Sequence, residues 1–273
     1  MCADTEAGSR SWFCRETGRG FPLVLLHGFG ASGFSWRGNL GPLSSHYQVL
    51  ALDLPAHGRT SPFALPDYRL ETLNHGLLSQ LDLHGLDRSV LIGNSLGGGL
   101  ALLLARDHPR RFPALVLLAP AIAVPRLPWF FLLLRLPLLG WAAALLLGPW
   151  TPRLVLPFIY QRHELITPEV IAGYAPTFRH LANRLALRRL VCVLDPWPLP
   201  RVEALLSRVR QPLCLIWGEH DRILPPNQAY WLKDHLPQAE LHVLSGVGHA
   251  PQEEAPDRVN EIIIAFLARS LKN

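Results

Sequence analysis

LIGNSLGGGLAL, Leu91–Leu102, is the stretch that decides the fold. Its first residues form a short apolar run of strand type, and the Ala/Leu-rich part from about Leu96 to Asp107 has the composition of a buried helix. Between them sits Gly93-Asn94-Ser95-Leu96-Gly97, a G-x-S-x-G turn. Small residues on both sides of Ser95 relieve crowding in a strained strand-to-helix turn, which pushes the hydroxyl out beyond the end of the strand. The helix that opens beneath it favours negative charge developing at that point.

Outward from this turn, short apolar runs alternate with helix-period segments. SWFCRET is an early, antiparallel strand; PLVLLHGFG, YQVLALDLP, SVLIGNS and PALVLLAP follow as strands. Leu70–His84 has helical spacing of its leucines. After Pro120 the alternation stops, and it resumes with strand PLCLIWGEHD, helix NQAYWLKDHL, strand AELHVLSGVGH and a closing helix from about Pro251 to Leu271. The pattern predicts an α/β fold with a mainly parallel sheet and helices on both faces. Residues 1–120 and 211–273 form the two parts of one body, and residues 121–210 are an inserted helical lid.

Bulk properties narrow the function. In a chain of 273 residues, 49% are hydrophobic and 17% charged, which excludes disorder and supplies a large core. The net charge of +5 rests almost wholly on arginine, with Lys233 and Lys272 the only lysines. No basic run is dense enough for nucleic acid. Cys2, Cys14, Cys192 and Cys214 show no paired spacing; Cys192 and Cys214 lie in apolar runs, as reduced, buried thiols do. MCADTEAGSRSWF has acids and no apolar core, so no signal peptide is expected and the expected location is the cytoplasm.

A serine hydroxyl is a poor nucleophile near neutral pH until an oriented base takes its proton. WGEHDRILP puts Asp221 in the loop after one late strand, and GVGHAPQEE puts His249 in the loop after the next. In a parallel sheet both loops reach the edge that carries Ser95. Ser95, Asp221 and His249 are therefore the expected catalytic triad. LLHGFGASG adds a turn just past a strand, where the backbone N–H of Phe29 joins that of Leu96 as the expected pair of oxyanion donors. His27, His57, Asp53 and Arg59 are read as loop-fixing residues. No metal-ligand spacing, Walker loop or G-x-G-x-x-G occurs, so neither metal nor cofactor is expected.

HGFG, DLPAHGRTS, GNSLGG, WGEHDRILP and GVGHAPQEEAP, in this order over nearly the whole chain, resemble the lid-bearing α/β-hydrolases. One departure is Ala56, where the family usually has glycine. Relatives that cleave carbon–halogen or epoxide bonds use aspartate at the elbow; the serine here implies acyl transfer. G-N-S also resembles the hydrolases that cleave carbon–carbon bonds of ring-fission diketones. Those usually have tryptophan directly after the catalytic histidine and an arginine on the lid, whereas Ala250 and Tyr174 stand at the corresponding places here, with Arg179 and Arg184 nearby.

PWFFLLLRLPLLGWAAALLLGPW, residues 128–150, is as long as a membrane-crossing helix. A crossing there would separate Ser95 from Asp221 and His249, Arg135 would cost about 2.5–3.5 kcal/mol at the bilayer centre, and Pro137 would break the helix. The stretch is expected to roof the sheet edge and wall an apolar pocket with Trp129, Phe130, Leu133, Trp141, Phe158, Tyr174 and Phe178, joined by Leu224 from the body. So continuous an apolar run also suggests peripheral membrane contact or a homodimer through 128–150. The expected activity is hydrolysis of small apolar carboxylic esters; the alternatives are carbon–carbon bond hydrolysis and ligand binding on the same scaffold.

Overall fold

The computed structural model describes residues 3–5, 12–122, 127 and 129–272. Eight strands form one sheet: β1 (Ala3–Thr5), β2 (Cys14–Thr17), β3 (Pro22–Leu26), β4 (Gln48–Leu52), β5 (Val90–Asn94), β6 (Leu115–Leu118), β7 (Leu213–Gly218) and β8 (Ala239–Leu244). Their order is β1-β2-β4-β3-β5-β6-β7-β8. β2 is antiparallel to both β1 and β4, and every pairing from β4 through β8 is parallel.

The helices are α1 (Arg37–Ser44), α2 (Leu70–Leu83), α3 (Leu96–Asp107), α4 (Trp129–Arg135), α5 (Pro137–Leu146), α6 (Thr151–Ile159), α7 (Pro168–Arg179), α8 (Leu181–Val193), α9 (Leu199–Leu206), α10 (Asn227–His235), α11 (Pro251–Glu254) and α12 (Pro256–Ser270). Successive strand residues feed opposite cores. Leu23, Leu25, Val90 and Ile92 meet α1 and α12, whereas Val24, Leu26 and Leu91 meet α2, α3, α9 and α10. Burial on both faces is why these strands read as continuous apolar runs rather than alternating ones.

Helices α4–α8 form the inserted helical segment between β6 and β7, called the lid below. Helix α9 has already returned to the body: Val202, Leu205 and Leu206 are buried in the core shared with α3. The inserted segment thus rejoins the body before residue 210, because α9 has an apolar face that α3 covers. Thr177 of α7 ties lid to body, accepting from Gly58 N–H at 2.9 Å and donating to Ala31 O at 3.1 Å. Among the described residues no single helix is long and apolar enough to cross a membrane. Helices α4 and α5 pass that test only as a pair, and they bend by 111° at the break before Pro137.

Three local features were not foreseen. α1 is built on RGNLGPLS, with two glycines and a proline, and owes its existence to packing on α12. β1 adds an outer strand at the sheet's antiparallel edge. The closing helix is divided at Ala255 (φ −139°, ψ 55°), since Pro256 disfavours helical backbone in the residue before it. Cys14 and Cys214 are buried, and Cys192 is half-buried.

Packing under the G-x-S-x-G turn is tight. A Cβ on Gly97 would stand 2.3 Å from Leu26 O, and one on Gly93 would stand 2.5 Å from the Gly97 carbonyl carbon. These are backbone obstacles that no rotamer change can clear. Gly97→Ala is expected to cost about 3 kcal/mol or more, read as a lower urea midpoint, against the 1–3 kcal/mol usual for overpacking. An unchanged midpoint would mean that α3 does not press on β3 as described.

Candidate active site

Ser95 links β5 to α3 with φ +51° and ψ −115°. The strain is held by hydrogen bonds on both sides: Ser95 N–H donates to Leu118 O at 2.9 Å, and its carbonyl accepts from Gly99 N–H at 3.0 Å and Ala121 N–H at 2.9 Å. A non-glycine residue in this backbone region persists only where its surroundings fix it. The side chain is half-buried and lines a cavity of about 590 Å³ beneath the lid.

Asp221 follows β7 and His249 follows β8. One carboxylate oxygen of Asp221, Oδ1, accepts the N–H groups of Ile223 and Leu224, both at 2.8 Å. The other, Oδ2, lies 2.7 Å from His249 Nδ1. Both residues are buried. Since an ionised carboxylate only accepts, Nδ1 carries the proton and Nε2 keeps its lone pair. The loop of His249 is fixed from three sides: its N–H donates to Ile159 O at 2.8 Å, its carbonyl accepts from Asn94 Nδ2 at 3.2 Å, and Gly248 N–H donates to Glu254 Oε1 at 2.9 Å. His249 lines the same cavity as Ser95.

Phe29 and Leu96 also line the cavity, and neither backbone N–H finds an acceptor among the described residues. The loops behind them are braced as expected. His27 donates from Nδ1 to Gly28 O at 2.8 Å and accepts Leu54 N–H on Nε2 at 2.9 Å. Burial holds its pKa well below the usual range, and burial lowers His57 to about 4. Asp53 accepts Gly33 N–H at 2.6 Å and Arg59 N–H at 2.8 Å, while burial pushes its carboxyl up to about 6. Ala56 has φ +68°, so a position where the family usually has glycine does require left-handed backbone.

Of the expected wall residues, Trp129, Phe130, Leu133, Phe158, Tyr174, Phe178 and Leu224 line the cavity. Trp141 does not. Helix α5 buries its small residues, Gly140 and Ala144, and so turns Trp141 outward, where Arg188 stacks on its ring at 4.6 Å. Two site residues had no role assigned from sequence. Asn94 also donates to Leu118 O at 3.1 Å, joining the elbow to the His249 loop, and its place inside the G-x-S-x-G was the available signal. Glu253 lines the cavity, fully buried, accepts the Tyr174 hydroxyl at 2.5 Å and pairs with Arg37. Burial pushes its carboxyl above the ordinary value against the pull of Arg37. Among the described residues no group of three or more His, Cys, Asp or Glu could hold a metal ion.

The alpha/beta hydrolase fold family matches residues 22–256 of this chain. The chain is 30% identical over 266 residues to the dihydrolipoyllysine-residue acetyltransferase component of the acetoin cleaving system of Pseudomonas putida, covering 97% of this chain and 68% of that protein. It belongs to the α/β-hydrolase fold family. Another relative, the 2-hydroxy-6-oxononadienedioate/2-hydroxy-6-oxononatrienedioate hydrolase of Comamonas testosteroni, is 26% identical over 93% of this chain and 90% of its own. A thermophilic esterase from Thermogutta terrifontis superposes with a TM-score of 0.80 at 23% identity, covering 99% of this chain and 98% of that one. An esterase and a dienedioate hydrolase are thus both among the proteins this chain is similar to.

Arg37 is the cation that makes the buried Glu253 tolerable. Arg37→Met leaves that charge uncompensated and is expected to cost about 3 kcal/mol in chemical denaturation. Adding Glu253→Leu should recover most of the loss. A double variant no more stable than Arg37→Met alone would contradict this pairing.

Proposed function

We propose that this protein is a serine hydrolase of carboxylic esters with apolar acyl groups. The observation that carries the reading is the 2.7 Å contact between His249 Nδ1 and Asp221, in a cavity wall that also holds the strained Ser95. Ser95 Oγ attacks the ester carbonyl as His249 Nε2 takes its proton. The C=O electron pair moves onto oxygen, where the N–H groups of Phe29 and Leu96 receive it, each worth about 3–4 kcal/mol in the transition state. The pair then returns, the C–O bond breaks, and His249 hands its proton to the leaving alkoxide. Water, activated by the same imidazole, cleaves the acyl-enzyme. Asp221 keeps the imidazole in one tautomer and stabilises it when charged.

The wall explains the preference for apolar acyl groups. Trp129, Phe130, Leu133, Phe158 and Phe178 supply its surface, and among the described residues the charged ones that reach it are Asp195 and Glu253, besides His249. A second reading, carbon–carbon bond hydrolysis, rests on the Comamonas testosteroni relative and on Gly-Asn-Ser at the elbow. A dienedioate is a dianion. Among the described residues no lysine or arginine lines this cavity, so such a substrate would lose its hydration without gaining a counter-charge. Asn94, moreover, is occupied in holding Leu118 and His249. The neutral ester is the better fit.

Wild-type protein is expected to turn over p-nitrophenyl butyrate, and Ser95→Ala to lower kcat/KM by about 10⁴-fold or more with an unchanged thermal melt. Undiminished turnover in that variant refutes the mechanism. Faster turnover of a dienol ring-fission acid than of the ester would move the assignment to the carbon–carbon reaction.

A further inference from the structure

Helix α5 is packed inside out. It buries Gly140 and Ala144, and a Cβ on Gly140 would stand 2.2 Å from Leu134 O, so α5 meets α4 through its own smallest residues. Its large residues point away from the protein: Leu138 is 86% exposed and Leu146 71%, with Leu139 and Leu145 also exposed. Trp129, Trp141 and Trp150 are exposed around them. A monomer in water rarely presents so continuous an apolar face unless something covers it. Helices that show large apolar residues outward and small ones at their contacts suit an apolar surrounding, and tryptophan favours the lipid–water boundary.

Charge selects the partner. No Asp or Glu occurs between Asp107 and Glu164, while Arg126, Arg135 and Arg153 fall within that span. Arg184 donates to the carbonyls of Leu145 and Leu147, and Arg188 lies on Trp141, which places both guanidinium groups beside α5. Arg153, Arg184 and Arg188 have no carboxylate partner among the described residues. An isologous contact with a second copy would bring these like charges together, and Asp195, the acid at this face, is already paired with Arg135. Anionic headgroups would neutralise them.

The same face opens onto the site. Trp129, Leu133, Trp150, Leu154 and Phe158 are each both exposed and part of the cavity wall. A second copy seated there would stop the mouth; a bilayer would feed it. We propose that the outer face of α4–α6 docks on an anionic lipid bilayer and that the acyl chain of a bilayer-resident ester passes through this mouth to Ser95. The substrate half rests on the ester reading above; the docking half does not.

Pelleting with sucrose-loaded phosphatidylcholine vesicles, with and without about 30 mol% phosphatidylglycerol, tests both. Leu138 and Leu146 lie outside the cavity wall, so Leu138→Asp/Leu146→Asp is the informative variant. Wild type and Ser95→Ala should pellet alike with the anionic vesicles, and the double variant about tenfold less or weaker still, with an unchanged melt. Release of fatty acid from a diacylglycerol ester embedded in the vesicles should fall with it, while turnover of soluble p-nitrophenyl butyrate stays the same. Pelleting without any ester hydrolysis would retain the docking and remove the substrate. Absence of wild-type pelleting, pelleting indifferent to the double substitution, or a wild-type dimer that this variant dissolves would overturn the docking.

Discussion

Parallel pairing from β4 to β8 is the constraint on which the site depends. It sends the turns after β3, β5, β7 and β8 to one edge of the sheet, so that residues far apart in the chain arrive together without any local motif joining them. Phe29, Ser95, Asp221 and His249 each stand in one of those turns. Hydrogen bonds then turn rough proximity into fixed geometry. Asn94 ties the elbow to the carbonyl of His249, Ile159 of the lid holds the N–H of His249, and two backbone amides hold the free oxygen of Asp221. The lid is therefore part of the support of the imidazole as well as a roof.

That arrangement joins a polar rim to an apolar chamber. In the proposed reaction three groups with opposed needs meet there: a carboxylate that must stay charged, an imidazole that must exchange protons, and a wall that excludes water. Asp221 is buried, and its bonds from Ile223, Leu224 and His249 replace the water it has lost. Glu253, buried four residues beyond His249, is compensated for lost water by Arg37 and Tyr174. The second cluster joins α1, α7 and α11, so body and lid share a buried charge.

The architecture was legible because burial on both faces leaves strands as plain apolar runs, and because turn residues mark where each one ends. Ser95, Asp221 and His249 were legible for the same reason: each follows such a run. The break at Pro137 could be read from the residue's missing N–H. Glu253 could not. In the sequence it is one of two adjacent acids in the first turn of the expected closing helix, and its partners, Arg37 and Tyr174, lie 216 and 79 residues away. Helix α1 was hidden by Gly38, Gly41 and Pro42, whose poor propensity is overcome by packing. Trp141 was placed wrongly on the assumption that the largest apolar residues face inward. In α5 the close approach of α4 admits only glycine and alanine, and helical geometry then sends tryptophan and leucine out.

The central claim is that Ser95 becomes nucleophilic through His249 held by Asp221. The most direct measurement is the rate and site of phosphonylation by a fluorophosphonate, followed by peptide mass spectrometry. Wild type should take up one equivalent on Ser95, His249→Ala should react at the background rate, and Asp221→Asn should slow by about 100-fold or more. Label on another residue, or Ser95 modified as fast in His249→Ala as in the wild type, would contradict the account.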